Sequence, residues 1–234
     1  MIRRRSLVGA VTVIAVLSAL FVRPAAAQTM ADEALQTRRP PAHPRRQLGL
    51  RAFALLETES LLAANTFDAV LDTHVIRARG GGAELLNVWK GLFVRVAATS
   101  ASRTGSRVVV VDDRAISLGI PLTIELRPVE FGGGWRGAIG ERGRGAWYAG
   151  GGLLHLVYRE TSTFASVGEN TDTTVDGAVV FAGADVRLWR FIVGGGEVQF
   201  RSLPNALGDG GASQAFKETN LGGVVARGVI GVRF

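Results

Sequence analysis

The chain has 234 residues, of which 47% are hydrophobic and 31 are glycine, and it has no cysteine. Its length allows one or two domains, and the lack of cysteine excludes a disulfide framework and a thiolate metal site. The formal net charge is +7, but four arginines lie in an N-terminal leader without acidic residues, so the remainder carries 7 − 4 = +3. This small excess is scattered along the sequence and argues against a nucleic-acid partner.

Residues 1–27 have the three parts of a secretory signal peptide. Arg3-Arg4-Arg5 form a basic start, residues 7–22 form an apolar stretch, and Ala25-Ala26-Ala27 supply small residues for cleavage before Gln28. The apolar stretch is shorter than the roughly 20 residues of a spanning helix, so we predict cleavage rather than a membrane anchor. Residues 28–45 are rich in proline and arginine and are predicted to form a periplasmic linker.

From residue 46 onwards, apolar and polar residues alternate, which indicates β-strands with two different faces. The alternation predicts strands over residues 50–56, 81–89, 92–99, 122–127, 147–159, 178–189, 192–202 and 224–234. The second of these is assigned mainly because it leads into a tight turn at Lys90-Gly91. Pro128 is expected to break the ladder or mark a bulge, because proline has no N–H to donate.

The connections between these strands alternate in length. Long polar connections are predicted over residues 58–79, 103–120, 161–174 and 204–219, and shorter ones at Lys90-Gly91, 137–144 and Trp189-Arg190. An even strand number with long loops on one side is typical of bacterial outer-membrane proteins. We therefore predict an all-β fold over residues 46–234, an eight-stranded antiparallel up-and-down transmembrane β-barrel.

A membrane barrel turns apolar side chains outwards and polar ones inwards. The predicted outward face includes Leu156 and two interface aromatics, Tyr148 and Tyr158, which lie about 25 Å apart along the membrane normal. Phe234 ends the chain in phase with the apolar face. The inward face carries a predicted lumen charge network of Arg51, Arg95, Glu125, Arg127, His155, Arg159, Asp185, Arg187, Glu197, Arg201 and Arg227.

With this strand number, this loop asymmetry and a terminal Phe234 preceded by in-phase Ile230 and Val232, residues 46–234 resemble the small outer-membrane β-barrels of the OmpA-like and OmpX-like kind. The resemblance implies a place in the outer membrane of a Gram-negative-type bacterium, in contact with outer-membrane lipid. It also implies that the barrel-assembly machinery recognises the strand ending at Phe234, with periplasmic chaperones acting before insertion. We expect a monomer without a cofactor or metal.

The interior of an eight-stranded barrel is just wide enough for side chains, so we expect paired charges to fill it. This predicts a non-enzymatic barrel that contributes to envelope structure or to surface interaction through its external loops. A narrow pore or transport barrel for small solutes or apolar ligands is one alternative. A soluble periplasmic ligand-binding barrel is another, since soluble barrels also alternate. We expect no catalysis, because no strand places a Ser–His pair on the outward face.

Overall fold

The structure, a computed structural model, describes residues 48–111, 114–140, 144–162, 170–207 and 211–234. The predicted signal peptide, residues 1–27, and the predicted linker, residues 28–45, lie outside the described residues. None of the helices in the described ranges has the length and apolar character needed to cross a membrane.

In the described part of the chain, eight antiparallel strands close into a barrel, each pairing with its neighbours in sequence order. The strands are β1 Gly49–Leu61, β2 Val75–Trp89, β3 Leu92–Val111, β4 Arg114–Ile139, β5 Gly145–Thr161, β6 Thr171–Arg187, β7 Ile192–Ser202 and β8 Gly223–Arg233. Two short helices are α1, Ala64–Leu71, and α2, Gly211–Phe216. The predicted eight-stranded antiparallel up-and-down barrel is therefore confirmed.

The barrel is closed by pairing between its first and last strands. Arg51 lies opposite Arg233 and Leu61 lies opposite Gly223, with continuous antiparallel pairs between them. Beyond β8, the amide of Phe234 donates to the carbonyl of Leu50 at 2.8 Å. Closure gives the backbone N–H and C=O groups of β1 and β8 partners on both sides, as a lipid environment requires.

The turn between β2 and β3 is tight, as predicted. Lys90 and Gly91 both have positive φ angles, 42° and 90°. Two consecutive positive φ angles are the mark of a type I′ turn, whose twist matches the twist of the flanking strands.

The segment 103–120, predicted to be a long polar loop, belongs to strands β3 and β4 instead. Their pairing continues to Val111 opposite Arg114, whereas β2 pairs with β3 only as far as Ser100 and β5 with β4 only as far as Thr123. The four consecutive valines from Val108 favour an extended backbone. We call residues 101–111 and 114–122 the protruding hairpin, because they extend past the neighbouring strands.

Pro128 interrupts the sheet less than predicted. Strand β4 runs through it, and Pro128 lies opposite Leu156 of β5. On the β3 side, pairing stops at Ala98 opposite Val129 and resumes in the same register at Ala101 opposite Leu126. The missing N–H donor therefore weakens one side of the strand locally, without a bulge.

Helix α1 closes the interior at the end of the barrel from which the hairpin protrudes. Phe67 and Leu71 of α1 belong to an apolar cluster with side chains from the barrel wall, including Leu61, Ile76, Leu122, Ile124, Leu126, Leu154, Leu156, Tyr158, Leu203 and Leu221. We call this the helix-capped end, and the opposite end, which holds the turn at Lys90-Gly91, the short-turn end.

A distant carboxylate caps α1, because Ala63 at the N-cap position offers no side-chain hydrogen bond. Glu218 Oε2 accepts from the amide and the hydroxyl of Thr66 at 2.8 and 2.7 Å, and Oε1 accepts from the amide of Asn65 at 3.1 Å. The first amides of a helix have no partner within it, and a negative charge there is favourable. The segment after α2 thus holds α1 over the barrel.

Candidate functional site in the barrel interior

Six charged side chains from five strands meet inside the barrel, none more than 6% exposed, and we call them the central network: Glu57, Arg95, Glu130, Glu197, Arg201 and Arg227. Glu130 lies at its middle. Its Oε1 accepts from Nη2 of both Arg201 and Arg227 at 2.7 Å, and its Oε2 accepts from Nη2 of Arg95 at 3.3 Å. One carboxylate therefore connects β4 to three other strands.

The other two carboxylates complete the central network. Glu57 Oε2 accepts from Nη2 of Arg227 at 2.6 Å and from Nη2 of Arg201 at 3.0 Å. Glu197 accepts from Nη1 of Arg95 at 2.5 Å and from Nη1 of Arg227 at 3.3 Å. Each arginine contacts at least two carboxylates, so opposite charges surround one another. Buried charges are tolerated only with such pairing.

Neutral side chains hold the carboxylates in place. The Gln199 side-chain amide donates to Glu197 at 2.6 Å and to Glu130 at 3.3 Å. The hydroxyl of Thr99 donates to Glu57 at 2.8 Å. These bonds occupy further acceptor positions of the carboxylates and so restrict their rotamers.

A second charged cluster lies nearer the short-turn end. Nη1 of Arg51 donates to Glu84 and to Asp185, both at 3.1 Å, and Arg136 also pairs with Asp185. The Arg136 guanidinium lies 5.6 Å from the ring centroid of Tyr148, within cation–π range. Two arginines and two carboxylates thus pair in this cluster.

Towards the helix-capped end, the interior becomes apolar. Between the central network and the apolar cluster lies a cavity of about 10 Å³, lined by residues that include Glu59, Leu126 and Arg201. This volume is about that needed for one water molecule. Among the described residues, no three His, Asp or Glu side chains are arranged to hold a metal ion. Paired charges thus fill the lumen towards the short-turn end, and packed apolar side chains fill it towards the helix-capped end.

Of the predicted lumen charges, six lie in the interior: Arg51, Arg95, Asp185, Glu197, Arg201 and Arg227. Arg187 is in phase with Asp185 but lies exposed at the short-turn end. The placement of Glu125, Arg127, His155 and Arg159 in the lumen is wrong, since all four lie on the outer face. There Glu125 pairs with Arg127 at 2.7 Å, His155 with Asp176 at 2.7 Å and Arg159 with Asp172 at 2.6 Å.

The prediction that Tyr148 and Tyr158 face lipid is also wrong. The two rings are 3% and 4% exposed, and Leu156, assigned to the same outward face, is equally buried. Tyr148 packs edge-on against Phe93 nearer the short-turn end. Leu156 and Tyr158 pack beneath α1 near the helix-capped end, where the outward side chains are polar. Alternation therefore persists along β4 and β5, but with the opposite polarity from that assumed, because the interior there is an apolar core.

Sequence reasoning missed five interior charged residues: Glu57, Glu59, Glu84, Glu130 and Arg136. Glu57 and Glu59 lie in phase with Arg51 on a strand whose inward face is correctly predicted, so alternation alone could have located them. Glu84 lies on β2, a strand that the sequence predicts mainly from the turn that follows it. Glu130 and Arg136 follow Pro128, where the ladder was expected to break.

The outer surface is apolar in a continuous band. All four tryptophans are exposed near the short-turn end, together with two phenylalanines: Trp89, Trp135, Trp147, Trp189, Phe191 and Phe234. Above them, outward side chains include Leu50, Val94, Phe131, Leu153, Val180 and Ile230. From Trp147 to Arg159 the strand rises about 30 Å along the barrel axis, which is enough to cross the roughly 25 Å lipid-facing band of a membrane barrel.

A barrel with an apolar, aromatic-bordered exterior and a charged interior has the polarity of a protein whose outer face meets lipid. Within a bilayer core, a closed β-sheet can pair its backbone groups, whereas an open sheet cannot. The fold and polarity thus define a small eight-stranded transmembrane β-barrel of bacterial outer membranes. A soluble periplasmic barrel would leave this band of tryptophan, phenylalanine and leucine exposed to water.

No model of a known protein family matches the chain, and no curated protein matches it significantly. Among solved structures, it is similar to Ail, the attachment invasion locus protein of Yersinia pestis, in complex with the heparin analogue sucrose octasulfate. The identity is 12% and the TM-score 0.49, over 80% of this chain and 100% of that one.

Neisserial surface protein A gives 12% identity and a TM-score of 0.45, over 80% of this chain and 95% of that one. The N-terminal β-barrel domain of Pseudomonas aeruginosa OprF gives 11% and 0.42, over 80% and 100%. The strand pairing itself defines the fold, and likenesses of this degree carry no information on ligand, partner or activity.

Replacing Glu130 with glutamine leaves the guanidinium groups of Arg95, Arg201 and Arg227 without a shared counter-charge. We expect the free energy of unfolding to fall by about 3–5 kcal/mol, as when one partner of a buried ion pair is removed. Urea unfolding in lipid vesicles, followed by tryptophan fluorescence, measures this loss. Glu125→Gln is the matched control on the outer face and should cost less than about 1 kcal/mol. Equal losses for both variants would contradict a structural role of the central network.

Leu153 is 70% exposed and lies within the apolar band. Leu153→Arg should destabilise the barrel by about 2–4 kcal/mol in vesicles, the cost of a cation near the bilayer midplane. Thr161→Arg, outward at the helix-capped end of the same strand, should cost only about 0–1 kcal/mol. The same unfolding measurement compares the two, and similar costs would show that the band does not face lipid.

Proposed function

We propose that the chain is a non-enzymatic outer-membrane barrel with a closed interior, which presents the protruding hairpin to partners outside the cell. The observation that carries this proposal is the hairpin itself. Beyond Ser100, where the pairing of β3 with β2 ends, β3 continues to Val111, about 36 Å at about 3.3 Å per residue. Long external loops lie on the outer side of such barrels, so the helix-capped end and its hairpin face outwards.

The hairpin exposes several apolar side chains, which is unusual for an external loop. Val109, Val111, Ile116 and Leu118 are each about half exposed. The two strands pair with each other, and among the described residues β2 and β5 do not pair with their far edges beyond Ser100 and Thr123. Contacts with the rest of the barrel are local: the Ser162 hydroxyl donates to the carbonyl of Pro121 at 2.8 Å, and Gly105 packs against Val70 of α1. Exposed strand edges offer a row of N–H and C=O groups to another chain. Apolar side chains beside such an edge add contact area.

This geometry favours strand addition, in which an extended segment of another protein pairs with a sheet edge. Backbone hydrogen bonds provide affinity in this binding mode, and alternate side chains provide specificity. The partner expected here is an extended, β-branched segment of a protein outside the cell. A monomer, surrounded by outer-membrane lipid and assembled through its strand ending at Phe234, is part of the same proposal.

The outer-face histidine does not favour an enzyme. His155 Nδ1 contacts Asp176 Oδ1 at 2.7 Å, as a catalytic histidine contacts its carboxylate. The same-face neighbours of His155 on β5 are Leu153 and Val157, which carry no nucleophile. An exposed hydrogen bond at the membrane surface is the simpler role.

A closed interior predicts that the purified protein forms no stable channel in planar bilayers. Ions would have to displace the ion pairs around Glu130 and then pass the apolar cluster beneath α1, and neither step is favourable. Single-channel recording tests this expectation. Steady conductance whose ion selectivity changes in Arg95→Gln or Glu197→Gln would support the narrow pore and contradict the filled lumen.

Shortening the hairpin should abolish binding of an extended peptide. In the variant, residues 107–120 are replaced by Asn-Gly, which forms a tight turn between Ser106 and Pro121 and leaves the barrel wall intact. Cells displaying each form are incubated with a labelled peptide of alternating valine and threonine. We expect binding to fall to background in the short variant, with unchanged heat-modifiable migration on a gel. Undiminished binding by the short variant would overturn the proposed role of the hairpin.

A further inference from the structure

Two arginines on the outer face of β2 lie side by side without a counter-charge. Arg77 and Arg79 are both exposed and two residues apart, so their side chains leave the same face of the strand. Within the described residues, neither forms an ion pair, whereas outward Arg127 and Arg159 each contact a carboxylate. This part of the surface therefore carries uncompensated positive charge.

The height of these arginines matches the outer leaflet of the membrane. Arg79 lies ten residues from Trp89, which is part of the aromatic border at the short-turn end. The register irregularity between Leu85 and Trp89 reduces this to eight ladder positions for Arg79 and leaves ten for Arg77. These correspond to about 20 and 25 Å along the membrane normal, which reaches the upper border of the lipid-facing band. Arg79 and Arg77 thus lie where lipid headgroups meet the acyl chains.

A shallow apolar groove begins beside the same arginines. The sheet register places Gly196, Gly228, Leu56 and Arg79 in one row across β7, β8, β1 and β2. A Cβ atom added at Gly228 would meet nothing within 4 Å, so the outer surface is recessed there. The recess has a volume of about 670 Å³ and is lined by residues that include Ala54, Leu56, Gly228 and Ile230, with Arg79 at its border.

We propose that this face, formed by β7, β8, β1 and β2, binds one phosphorylated lipid of the outer leaflet. The lipid phosphate accepts hydrogen bonds from the guanidinium groups of Arg77 and Arg79, and one acyl chain lies in the groove over Gly228. Guanidinium groups match phosphate oxygens in geometry and charge. The combination of paired cations at headgroup height and an adjoining groove at acyl-chain height fits a lipid better than a soluble anion.

The test uses the full chain in nanodiscs of phosphatidylcholine with a minor fraction of phosphatidic acid. Native mass spectrometry counts the phosphatidic acid that remains bound on release. We expect one retained molecule, and about tenfold weaker retention in the variant Arg77→Gln/Arg79→Gln, since the loss of two charged hydrogen bonds exceeds the roughly 1.4 kcal/mol of a tenfold change. The variant Arg187→Gln/Arg190→Gln, at the short-turn end, should retain it normally. Equal losses in both variants, or no enrichment over phosphatidylcholine, would overturn the site.

A second pair of variants separates a lipid site from a simple phosphate site. Gly228→Leu places a side chain in the recess, where the added Cβ meets nothing within 4 Å, and should also weaken retention, whereas Ala182→Leu, exposed on β6, should not. Inorganic phosphate at millimolar concentration should not displace the lipid. Displacement by inorganic phosphate, together with normal retention in Gly228→Leu, would mean that the arginines bind a free anion only and would overturn the lipid proposal.

Discussion

The narrow interior of an eight-stranded barrel leaves little room for water around a charge, so each inward charge requires a partner. Glu130 meets this requirement most fully, because it contacts arginines from β3, β7 and β8. These contacts span the lumen and join strands that are distant around the wall. The register of the barrel and the closure of its lumen both depend on them. The proposed binding surfaces therefore lie outside the barrel.

The polarity of the wall changes along the barrel axis. Where the outer face meets lipid, the exterior is apolar and the interior holds the central network. Nearer the helix-capped end, outward Arg159 pairs with Asp172, while inward Leu154 and Leu156 pack beneath α1. The same strands thus behave as membrane strands at one end and as strands of a soluble barrel at the other. The change occurs because the polarity of each side chain matches that of the medium it faces.

Two parts of the outer surface lie outside the apolar band or at its border. Above the membrane, the protruding hairpin keeps free strand edges and exposed valines, which suit an extended protein segment. At the membrane boundary, Arg77 and Arg79 stand beside a recess made by Gly228 and its neighbours, which suits a phosphorylated lipid. The hairpin would bind a protein outside the cell, and the bound lipid would hold the barrel at a defined depth in the membrane. Neither depends on passage through the lumen.

The sequence by itself determined the strand number, the tight turn at Lys90-Gly91, and the inward faces of β1, β3, β6, β7 and β8, because period-two alternation is a local property of a strand. It therefore predicted Arg51, Arg95, Glu197, Arg201 and Arg227 as lumen charges. Only the tertiary structure decided which face of β4 and β5 points inwards, and so where Tyr148, Tyr158 and His155 lie. The inward apolar residues of those strands pack beneath α1 or, for Tyr148, against Phe93. Local alternation cannot distinguish such an apolar interior from lipid.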